Sequence, residues 1–531
     1  MGKLRIFASN MKKQQSHSVN RSQREVAELF HVASVTVLNW VKEGLLEMDE
    51  NRCITEESLK RFRRRYAGVV KLHARANKQL KDGHDNGEVD RMIQEALRKE
   101  SFDETLGDRY EAMLSESYKN KEGVFYTPMT IVDDMMRDLN VEKDMLFLDP
   151  CCGTGNFLVK AVEMGISPQN LYGFDTDPNA VMIARRRIKA LTGCEAPHVI
   201  CADFLQDCQG LELKFDLVFT NPPWGKKLPK TQRTDFAQRY QAGSSTDTCS
   251  LFLFSVLSVL KDEGRMGLLL PDSFFKIAVF EDARKAVLGQ TILKVKDYGK
   301  PFNNMYSAVS LLLEHRECPS DHSVPCCFDH REYLRLQRGF LMMPRHNINY
   351  WTDASEQQLL EDLLQQPCLT LNGHATWGLG IVTGNNAKMC KRSRRKGLVP
   401  VFRGKDILPG HLKAARYYIN PEEFVHYQQM APLERYQAPE KLIYRFISSK
   451  LVFYCDTKQR YILNSANLLI LDQGFPLSAA SLAELLNSPL TNWLFQQLFH
   501  THKILRGDLE LLPIISDLTQ HRRFNLLNLN R

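Results

Sequence analysis

The stretch Met145-Leu-Phe-Leu-Asp-Pro-Cys-Cys-Gly-Thr-Gly155 passes from a short apolar run directly into a glycine-rich turn. A second apolar run, Phe215-Asp-Leu-Val-Phe-Thr220, stops in the same abrupt way at Asn221-Pro-Pro-Trp224. Short apolar runs bounded by Gly and Pro are typical of buried strands. Because open α/β sheets bind ligands at the carboxyl ends of their strands, the two turns predict an α/β fold with its ligand site there.

Acidic residues mark three consecutive predicted strand ends. Asp149 opens the first turn, where Gly153 and Gly155 lack Cβ atoms and so permit a sharp bend and close approach by a ligand. Asp175 ends the next strand twenty residues after Gly155, where a βαβ unit commonly presents an acidic acceptor for ribose hydroxyls. Asp203 follows a third strand and is placed to reach an adenine amine. The first turn therefore predicts a nucleotide-like cofactor.

The second turn has the chemistry of a site for a planar amine. Pro222 and Pro223 have no backbone N–H, so their peptide units contribute only carbonyl acceptors. Asn221 adds a side-chain carbonyl, and Trp224 adds a flat apolar face. Two acceptors beside an aromatic face suit the exocyclic amine of a flipped base. The alternatives are an ordinary loop start here and a dinucleotide site at the first turn, although no third glycine follows Gly155 at the expected position.

Asp-Pro-x-x-Gly-x-Gly followed by Asn-Pro-Pro-aromatic resembles the motif set of S-adenosylmethionine-dependent amino-methyltransferases, with Trp224 in place of the commoner Tyr or Phe. The resemblance implies S-adenosylmethionine as the cofactor. Its methionine amino group, ribose and adenine would then lie on Asp149, Asp175 and Asp203 respectively. The family transfers the methyl group directly, so the resemblance implies neither a metal site nor a covalent nucleophile.

Two further segments match the same family. Gly123-Val-Phe-Tyr-Thr-Pro128 resembles the motif that helps to hold the methionine end of the cofactor, through Thr127 and Pro128. It also reads as a plain helix start, with Thr127 as the cap, Pro128 at the first position and a helix over residues 131–139. Tyr298-Gly-Lys-Pro-Phe302 resembles the motif whose aromatic residue stacks on the target base. Phe302 is the candidate, followed by Tyr306, and either residue would also suit a core.

From about residue 340 the chain resembles the C-terminal specificity domain of TaqI-like N6-adenine methyltransferases. The matching segments are residues 378–385, 400–406, 441–446, 463–467, 486–488 and 503–509. A basic run at 388–396 lies between them, and it predicts a DNA contact or, alternatively, a solvated loop. Residues 225–247 form a polar, basic segment that we expect to be a loop ordering on the substrate. Predicted DNA contacts in these regions are Lys226, Lys227, Arg392, Arg394, Arg395, Arg403 and Lys405.

The N-terminal segment is basic and helical. Residues 1–81 contain 17 Lys and Arg against 8 Asp and Glu, a balance of +9. Ser22-Gln-Arg-Glu25 is a capping box for a first helix, and residues 34–42 and 55–65 predict two more around a hairpin-like stretch. This order resembles a winged helix-turn-helix, in which Asn39, Arg63 and Arg64 would contact DNA. The alternative is a helical bundle whose basic face contacts protein.

Composition sets the broad class. A chain of 531 residues predicts two to four domains, and 43% hydrophobic with 25% charged residues is typical of soluble globular proteins. The 13 cysteines include adjacent pairs and no C-x-x-C repeat, which favours free thiols in a reducing compartment. No signal-peptide pattern is present, and the longest apolar run, residues 251–260, is half the length of a membrane span. We therefore expect a cytoplasmic, nucleoid-associated protein without a membrane partner, and the net charge of +8 suits a polyanion.

The order of the motifs, with Thr127-Pro128 first and a recognition domain last, resembles the gamma class of DNA amino-methyltransferases. We expect an α/β, Rossmann-like catalytic domain with a mostly parallel sheet, an N-terminal winged helix-turn-helix and a C-terminal α+β recognition domain. The expected boundaries are 1–71, 72–104 for a linker, 105–335 and 336–531. The implied activity is site-specific methylation of adenine N6 in double-stranded DNA within a restriction–modification system.

Three points stay open in the sequence. A cognate restriction endonuclease is a partner that the resemblance allows but does not require. A DNA-binding regulator with a silent methyltransferase core would carry the same domain order. An amino-methyltransferase that acts on RNA or on protein glutamine would carry the same Asn-Pro-Pro turn.

Overall fold

The computed structural model describes residues 20–30, 37–38, 40–41, 46–50, 53–66, 106–113, 125–208, 211–302 and 307–528. The chain forms two compact units, Met1–Tyr126 and Thr127–Arg531. All 13 cysteines are free thiols. None of the helices in the described ranges combines the length and the apolar character that crossing a lipid bilayer demands.

The first unit contains α1 (Gln23–Leu29), α2 (Glu56–Tyr66) and α3 (Leu106–Met113). The capping box that precedes α1 is confirmed, because the Ser22 amide donates to Glu25 Oε2 at 2.7 Å and the Glu25 amide donates to Ser22 Oγ at 3.3 Å. The hairpin-like stretch pairs Met48 with Ile54 in antiparallel fashion. A small core buries Val26, Val37, Trp40, Leu46, Ile54, Leu59 and Phe62. The winged helix-turn-helix stays a prediction: Asn39, the side chains of Arg63 and Arg64, and the linker 72–104 lie outside the described residues.

The second unit is built on a sheet of nine described strands. Their bounds are β1 Phe147–Asp149, β2 Leu171–Asp175, β3 Val199–Cys201, β4 Phe215–Thr220, β5 Leu260–Pro271, β6 Thr291–Asp297, β7 Ala308–Glu314, β8 Ser323–Phe328 and β9 Arg331–Leu336. The helices that accompany them are α4 Met129–Met136, α5 Asn156–Glu163, α6 Pro178–Thr192, α7 Phe204–Asp207, α8 Lys230–Arg239, α9 Thr248–Val259 and α10 Glu281–Leu288.

The strand order is β3-β2-β1-β4-β5-β7-β6-β8-β9. The first five strands in this order are parallel, and β7 then runs antiparallel to both β5 and β6. The buried residues Phe147 and Leu148 of β1 and Leu217, Val218 and Phe219 of β4 are all apolar, as expected for a sheet covered on both faces. Strands β2 and β3 follow on one side of β1, and β4 and β5 lie on its other side, so the strand order reverses between β1 and β4. The predicted Rossmann-like α/β fold is confirmed, and this reversal creates the crevice where such sheets bind ligands.

The region after β9 is a separate α+β arrangement, as predicted. Its helices are α11 Gln337–Leu341, α12 Ala354–Leu364, α13 Asn386–Met389, α14 Leu433–Tyr436, α15 Ala479–Asn487, α16 Pro489–Phe499, α17 Arg506–Leu511 and α18 Leu518–Asn528. Its strands are β10 Ala375–Leu379, β11 Val399–Phe402, β12 Ile407–Leu408, β13 His411–Leu412, β14 Tyr417–Ile419, β15 Lys441–Arg445, β16 Phe453–Asp456, β17 Tyr461–Ile462 and β18 Ala466–Leu471. They form sheets β10-β18-β15-β16, β14-β11-β17 and β12-β13.

Buried polar side chains join this region to the catalytic sheet. Arg335, on β9, donates to the Asn349 carbonyl at 2.9 Å. Asn347 Nδ2 donates to the Leu498 carbonyl at 2.9 Å, and Trp351 Nε1 donates to the Gln497 carbonyl at 3.2 Å. The segment between α11 and α12 is therefore bonded to β9 on one side and to α16 on the other.

One expectation about local structure is wrong. Residues 225–247 do not form a continuous loop, because Lys230–Arg239 is helix α8. Pro229 stands at its N-cap and no Gly or Pro interrupts the helix. Phe236 is buried, and Arg239 pairs with Asp235 one turn earlier at 2.8 Å. The helix is stabilised by packing that a polar sequence pattern does not reveal.

Candidate active site

The carboxyl ends of β1 and β4 bring the two predicted turns together. Leu148 pairs with Val218 in the parallel register, so Asp149 and the Asn221 turn follow neighbouring strands at the same edge of the sheet. Asp149 is 1% exposed, and Thr220, which precedes Asn221, is fully buried. The deciding feature of the site is thus a buried carboxyl group at the end of β1, next to the strand that leads into the Asn221 turn.

The Asp149 carboxyl has an unusual environment. Burial is the main cause that raises its pKa from 3.8 to about 7, and the charge of Asp175 raises it further. The hydrogen bond from the Cys151 amide, at 3.1 Å, acts in the opposite direction. None of these neighbours is a cation. A buried carboxyl without a positive partner suits a ligand that carries its own positive charge.

The glycine turn has a conformation that requires glycine. Gly153 and Gly155 have φ of +50° and +88°, in the left-handed region. A Cβ on Gly155 would lie 2.8 Å from the Cβ of Ala184 on α6, too close for any side chain. The turn therefore bends sharply, as predicted for these two glycines, and packs directly on α6, while close approach by a ligand stays a prediction.

Asp175 supports the same turn from the end of β2. Its Oδ2 accepts from the Gly153 amide at 2.8 Å and its Oδ1 accepts from the Asp177 amide at 2.9 Å. Burial raises its pKa, and these two hydrogen bonds oppose the shift. Each oxygen keeps a second lone pair for a ligand hydroxyl. Asp175 thus combines a structural role with an acceptor role that stays a prediction.

The Thr127-Pro128 motif lies against the first turn of α5. The expected plain helix start is wrong in detail, because Pro128, with φ −56° and ψ 142°, is the extended N-cap residue and α4 begins at Met129. The Thr127 carbonyl accepts from Asn156 Nδ2 at 2.8 Å. Asn156 Oδ1 in turn accepts from Arg187 Nη1 at 2.6 Å. This network holds the motif beside Gly155.

Sequence reasoning missed Asn156 and Arg187. Asn156 is the one polar residue in the first turn of α5, which is otherwise apolar as far as Val159. That isolated polar residue is the local signal that would have identified it. Arg187 gave no such signal, because a basic residue on a surface helix is common.

Asp203 lies at the start of α7 and accepts from the Leu205 amide at 3.1 Å as its N-cap. Helix α8 and the residue after it hold α7 in place. The Tyr240 hydroxyl donates to the Leu205 carbonyl at 2.5 Å, and Arg239 Nη1 donates to the Gln206 carbonyl at 3.3 Å. The segment that follows the Asn221 turn therefore contacts the predicted adenine-binding end.

Aromatic side chains border the Asn221 turn. Trp224 is 7% exposed, and its Nε1 donates to the Leu269 carbonyl on β5 at 3.2 Å. The Trp224 and Phe302 rings lie with centroids 5.5 Å apart at 74°. Pro222 is buried and Pro223 is half-buried. The structure thus brings together Trp224 and Phe302, as predicted, while Tyr306 lies outside the described residues.

The predicted DNA contacts fall into three groups. Arg392, Arg394, Arg395, Lys405 and Lys227 are exposed. Lys226 is half-buried, and its charge lowers the pKa of Asp175, which places it near the cofactor side of the crevice. Arg403 contacts its own domain: its Nε and Nη2 donate to Asp406 at 2.9 and 3.0 Å, and its guanidinium lies 4.3 Å from the Tyr417 ring centroid. Contact of Arg403 with DNA would have to use the N–H groups of Nη1 or the second N–H of Nη2.

Within the described part of the chain, no cluster of three or more His, Cys, Asp or Glu side chains is arranged to hold a metal ion.

Comparison with known proteins extends these observations. Residues 101–316 match the N-6 DNA Methylase family, and residues 399–514 match the TaqI-like C-terminal specificity domain. The chain is 42% identical over 386 residues to Type II methyltransferase M.VspI of Vibrio sp. (strain 343), covering 72% of this chain and 95% of that protein. It is 25% identical over 213 residues to the Type I restriction enzyme EcoEI methylase subunit of Escherichia coli, covering 35% of this chain and 41% of that subunit.

The solved structure of the Type IIL restriction-modification enzyme MmeI in complex with DNA shares the fold. It superposes with a TM-score of 0.51 and 11% sequence identity, over 76% of this chain and 70% of that one. The sequence identity to M.VspI extends along nearly the whole length of that relative, so it assigns the chain to a family and not only to a fold. The chain therefore belongs to the N-6 DNA methylases that carry a TaqI-like C-terminal specificity domain.

Proposed function

We propose that this methyltransferase transfers a methyl group from S-adenosylmethionine to N6 of adenine at a specific site in double-stranded DNA, as the modification component of a restriction–modification system. The observation that carries the proposal is the parallel pairing of β1 and β4, whose carboxyl ends carry the buried Asp149 and the turn Asn221-Pro-Pro-Trp224 at the switch point of the sheet. The names of its relatives, a Type II methyltransferase and a Type I methylase subunit, support the biological setting.

The residues of the crevice fit S-adenosylmethionine. Asp149 is a buried carboxyl, and none of the described groups that shift its pKa is a cation, so it suits the ammonium of the methionine end. Thr127 and Pro128, held by Asn156, would contact the same end of the cofactor. Asp175 has lone pairs for ribose hydroxyls, and Asp203 lies at the strand end assigned to the adenine. When bound, the cofactor supplies a methyl group that its sulfonium already activates. The task of the protein is therefore to orient the acceptor and exclude water.

The acceptor side is supplied by the Asn221 turn. The adenine N6 lone pair is delocalised into the ring, and hydrogen bonds from N6–H to the Asn221 side-chain carbonyl and the Pro222 carbonyl would favour a pyramidal nitrogen. Trp224 supplies one ring face for the flipped base. Because the hydrogen bond to Leu269 holds Trp224, Phe302 is the ring that turns from its present 74° to stack on the other face.

Exposed basic residues supply the proposed DNA surface. Arg392, Arg394 and Arg395 lie on the specificity domain, and Lys227 lies just beyond the catalytic turn. We divide the chain at 1–71, 72–104, 105–335 and 336–531, so that catalysis and recognition occupy the last two segments. Lys226 follows the acceptor turn in sequence, and its positive charge lowers the pKa of Asp175.

The direct test compares Asn221→Ala with Asn170→Ala, a matched change at a half-buried asparagine whose side-chain amide donates to the Lys143 carbonyl at 3.3 Å. Transfer of tritiated methyl groups to genomic DNA should be abolished in Asn221→Ala and retained in Asn170→Ala. Cofactor affinity, measured by calorimetry, should stay within a few fold in both. A large loss of cofactor binding in Asn221→Ala would assign the residue to the cofactor instead.

The same assay separates the alternatives. A wild-type protein that binds DNA without transferring methyl groups would be a regulator with a silent core. Transfer to RNA or to a protein glutamine, with none to DNA, would place the activity in a different amino-methyltransferase class. Methylation-aware sequencing of DNA from a strain that expresses the protein identifies the site and the modified base.

A further inference from the structure

The loop between β15 and β16 presents an apolar side chain to solvent. Ile447 is 63% exposed, although it lies two residues after strand β15, whose residues Lys441 to Tyr444 are buried. A single exposed aliphatic residue is ordinary and indicates nothing by itself. Three further observations single out this one: how firmly its loop is held, what surrounds it, and where the loop lies.

The loop is held from several directions. Ile447 pairs with Lys503 in an isolated antiparallel bridge, and the Ser448 amide donates to the His502 carbonyl at 2.8 Å. Gln496, on α16, donates to the Ser449 carbonyl at 3.0 Å, and the Leu451 amide donates to Asn492 Oδ1 at 2.6 Å. Because these hydrogen bonds already fix the loop, it loses little further conformational entropy when it binds a partner.

Basic and polar side chains surround the apolar tip. Lys450, His502 and Lys503 are all exposed, and Lys503 stands directly across the bridge from Ile447. Residues opposite one another in an antiparallel pair present their side chains on the same face. Duplex DNA has an apolar stack of bases between two negatively charged backbones. An aliphatic side chain beside two lysines is therefore complementary to duplex DNA, because it can contact the bases while the lysines contact phosphates.

The loop is tied to the catalytic edge of the sheet. His502 is two residues from His500, whose ring stacks on Trp351 with centroids 4.9 Å apart. Lys276 lies 5.8 Å from the Trp351 ring centroid and pairs with Asp272 at 2.8 Å. Asp272 follows the carboxyl end of β5, and β5 is the parallel neighbour of the strand that carries Asn221. The tip therefore belongs to the part of the specificity domain that contacts the edge bearing the active site.

We propose that Ile447 is a wedge that enters the DNA duplex at the target site and occupies the stack when adenine is extruded. The proposal rests on the function proposed above, because it requires a flipped base. Extruding a paired base disrupts its pairing and stacking, and the free-energy cost is lower when the base is mismatched. An apolar side chain in the vacated stack would offset part of it.

The test uses Ile447→Ala with Val425→Ala as a matched control. Val425 is also an exposed β-branched residue, at 83%, but its turn carries Glu422 and Glu423 instead of lysines. Each full-length variant is assayed on two synthetic duplexes containing the site identified by sequencing: one with thymine opposite the target adenine, the other with a mismatched base there. Thermal unfolding checks that both variants fold, as expected for changes at exposed side chains.

On the paired duplex, Ile447→Ala should lower the methylation rate by about tenfold, and on the mismatched duplex most of this loss should disappear because the flipping cost is smaller. The salt dependence of DNA binding should not change, since no phosphate contact is removed. Val425→Ala should behave like the wild type on both duplexes. Equal losses on the two duplexes, or an equal loss in Val425→Ala, would overturn the wedge. A wild-type protein that methylates neither duplex would instead refute the proposed function.

Discussion

At the scale of single residues, Asp149 makes cofactor binding dependent on pH. Its pKa is raised to about 7 by burial, so below that pH the carboxyl of the free protein is neutral and offers no charge to a ligand ammonium. Cofactor affinity should therefore fall by up to tenfold per pH unit as the pH drops below about 7. Calorimetry across this pH range measures the cofactor affinity. In Asp149→Asn the affinity should be weak and this dependence absent; an unchanged pH profile would mean that another group titrates.

Asp175 is a second prediction at the residue scale. Asp175→Ala removes an acceptor for ligand hydroxyls and should weaken cofactor binding by about 1.5–3 kcal/mol, the range for charge-assisted hydrogen bonds. It also removes the acceptor of the Gly153 and Asp177 amides, so the thermal midpoint should fall as well. Calorimetry and thermal unfolding on the same preparation separate the two roles. A lowered midpoint with an unchanged dissociation constant would leave Asp175 with a structural role alone.

At the scale of elements, α8 links the acceptor turn to the predicted adenine site. Tyr240→Phe removes the hydroxyl that donates to Leu205 and lies 3.0 Å from Cys208 Sγ. A lost hydrogen bond of this kind costs about 1 kcal/mol, so KM for the cofactor should rise a few fold while kcat is unchanged. Thr234→Ala, which removes an exposed hydroxyl bonded to Lys230 in the same helix, is the control. A matching rise in the control, or a fall in kcat alone, would show that α8 does not act through α7.

At the scale of the whole molecule, we expect the basic N-terminal segment to contact DNA phosphates and the C-terminal specificity domain to read the base sequence. Residues 1–81 carry a balance of +9, which exceeds the net +8 of the chain. Phosphate contacts raise affinity without reading sequence, and each one that is lost lowers the salt slope by about one. Removing residues 1–70 should therefore weaken DNA binding and flatten its salt dependence, yet leave the methylated sequence unchanged. A filter-binding series across salt, with sequencing of the methylated sites, measures both effects.

The specificity domain should behave in the opposite way. Replacing Arg392, Arg394 and Arg395 by alanine should impair methylation of the target site more than non-specific binding, because these exposed side chains lie in the predicted recognition region. The triple variant and the truncated protein are compared in the same binding series. A truncated protein that methylates a different or shorter sequence would show that the N-terminal unit reads bases itself.

The sequence by itself determined the features that depend on a few neighbouring residues. The capping box of Ser22 and Glu25, the left-handed Gly153 and Gly155, and the acidic strand ends were all readable, because each is set by local backbone geometry. Since strands that lead into such turns come together at one sheet edge, the site at Asp149 and Asn221 followed from the same pattern.

Only the tertiary structure decided which distant residues contact one another and how deeply each side chain is buried. Helix α8 forms in a polar segment because Phe236 finds a buried position. The guanidinium of Arg403 lies over the ring of Tyr417 on β14, and Trp224 meets Phe302 from a distant strand end. The pKa of Asp149 reaches about 7 only because the surrounding fold removes water and places Asp175 nearby. Burial and electrostatic environment depend on contacts between residues far apart in the chain, and no local pattern encodes them.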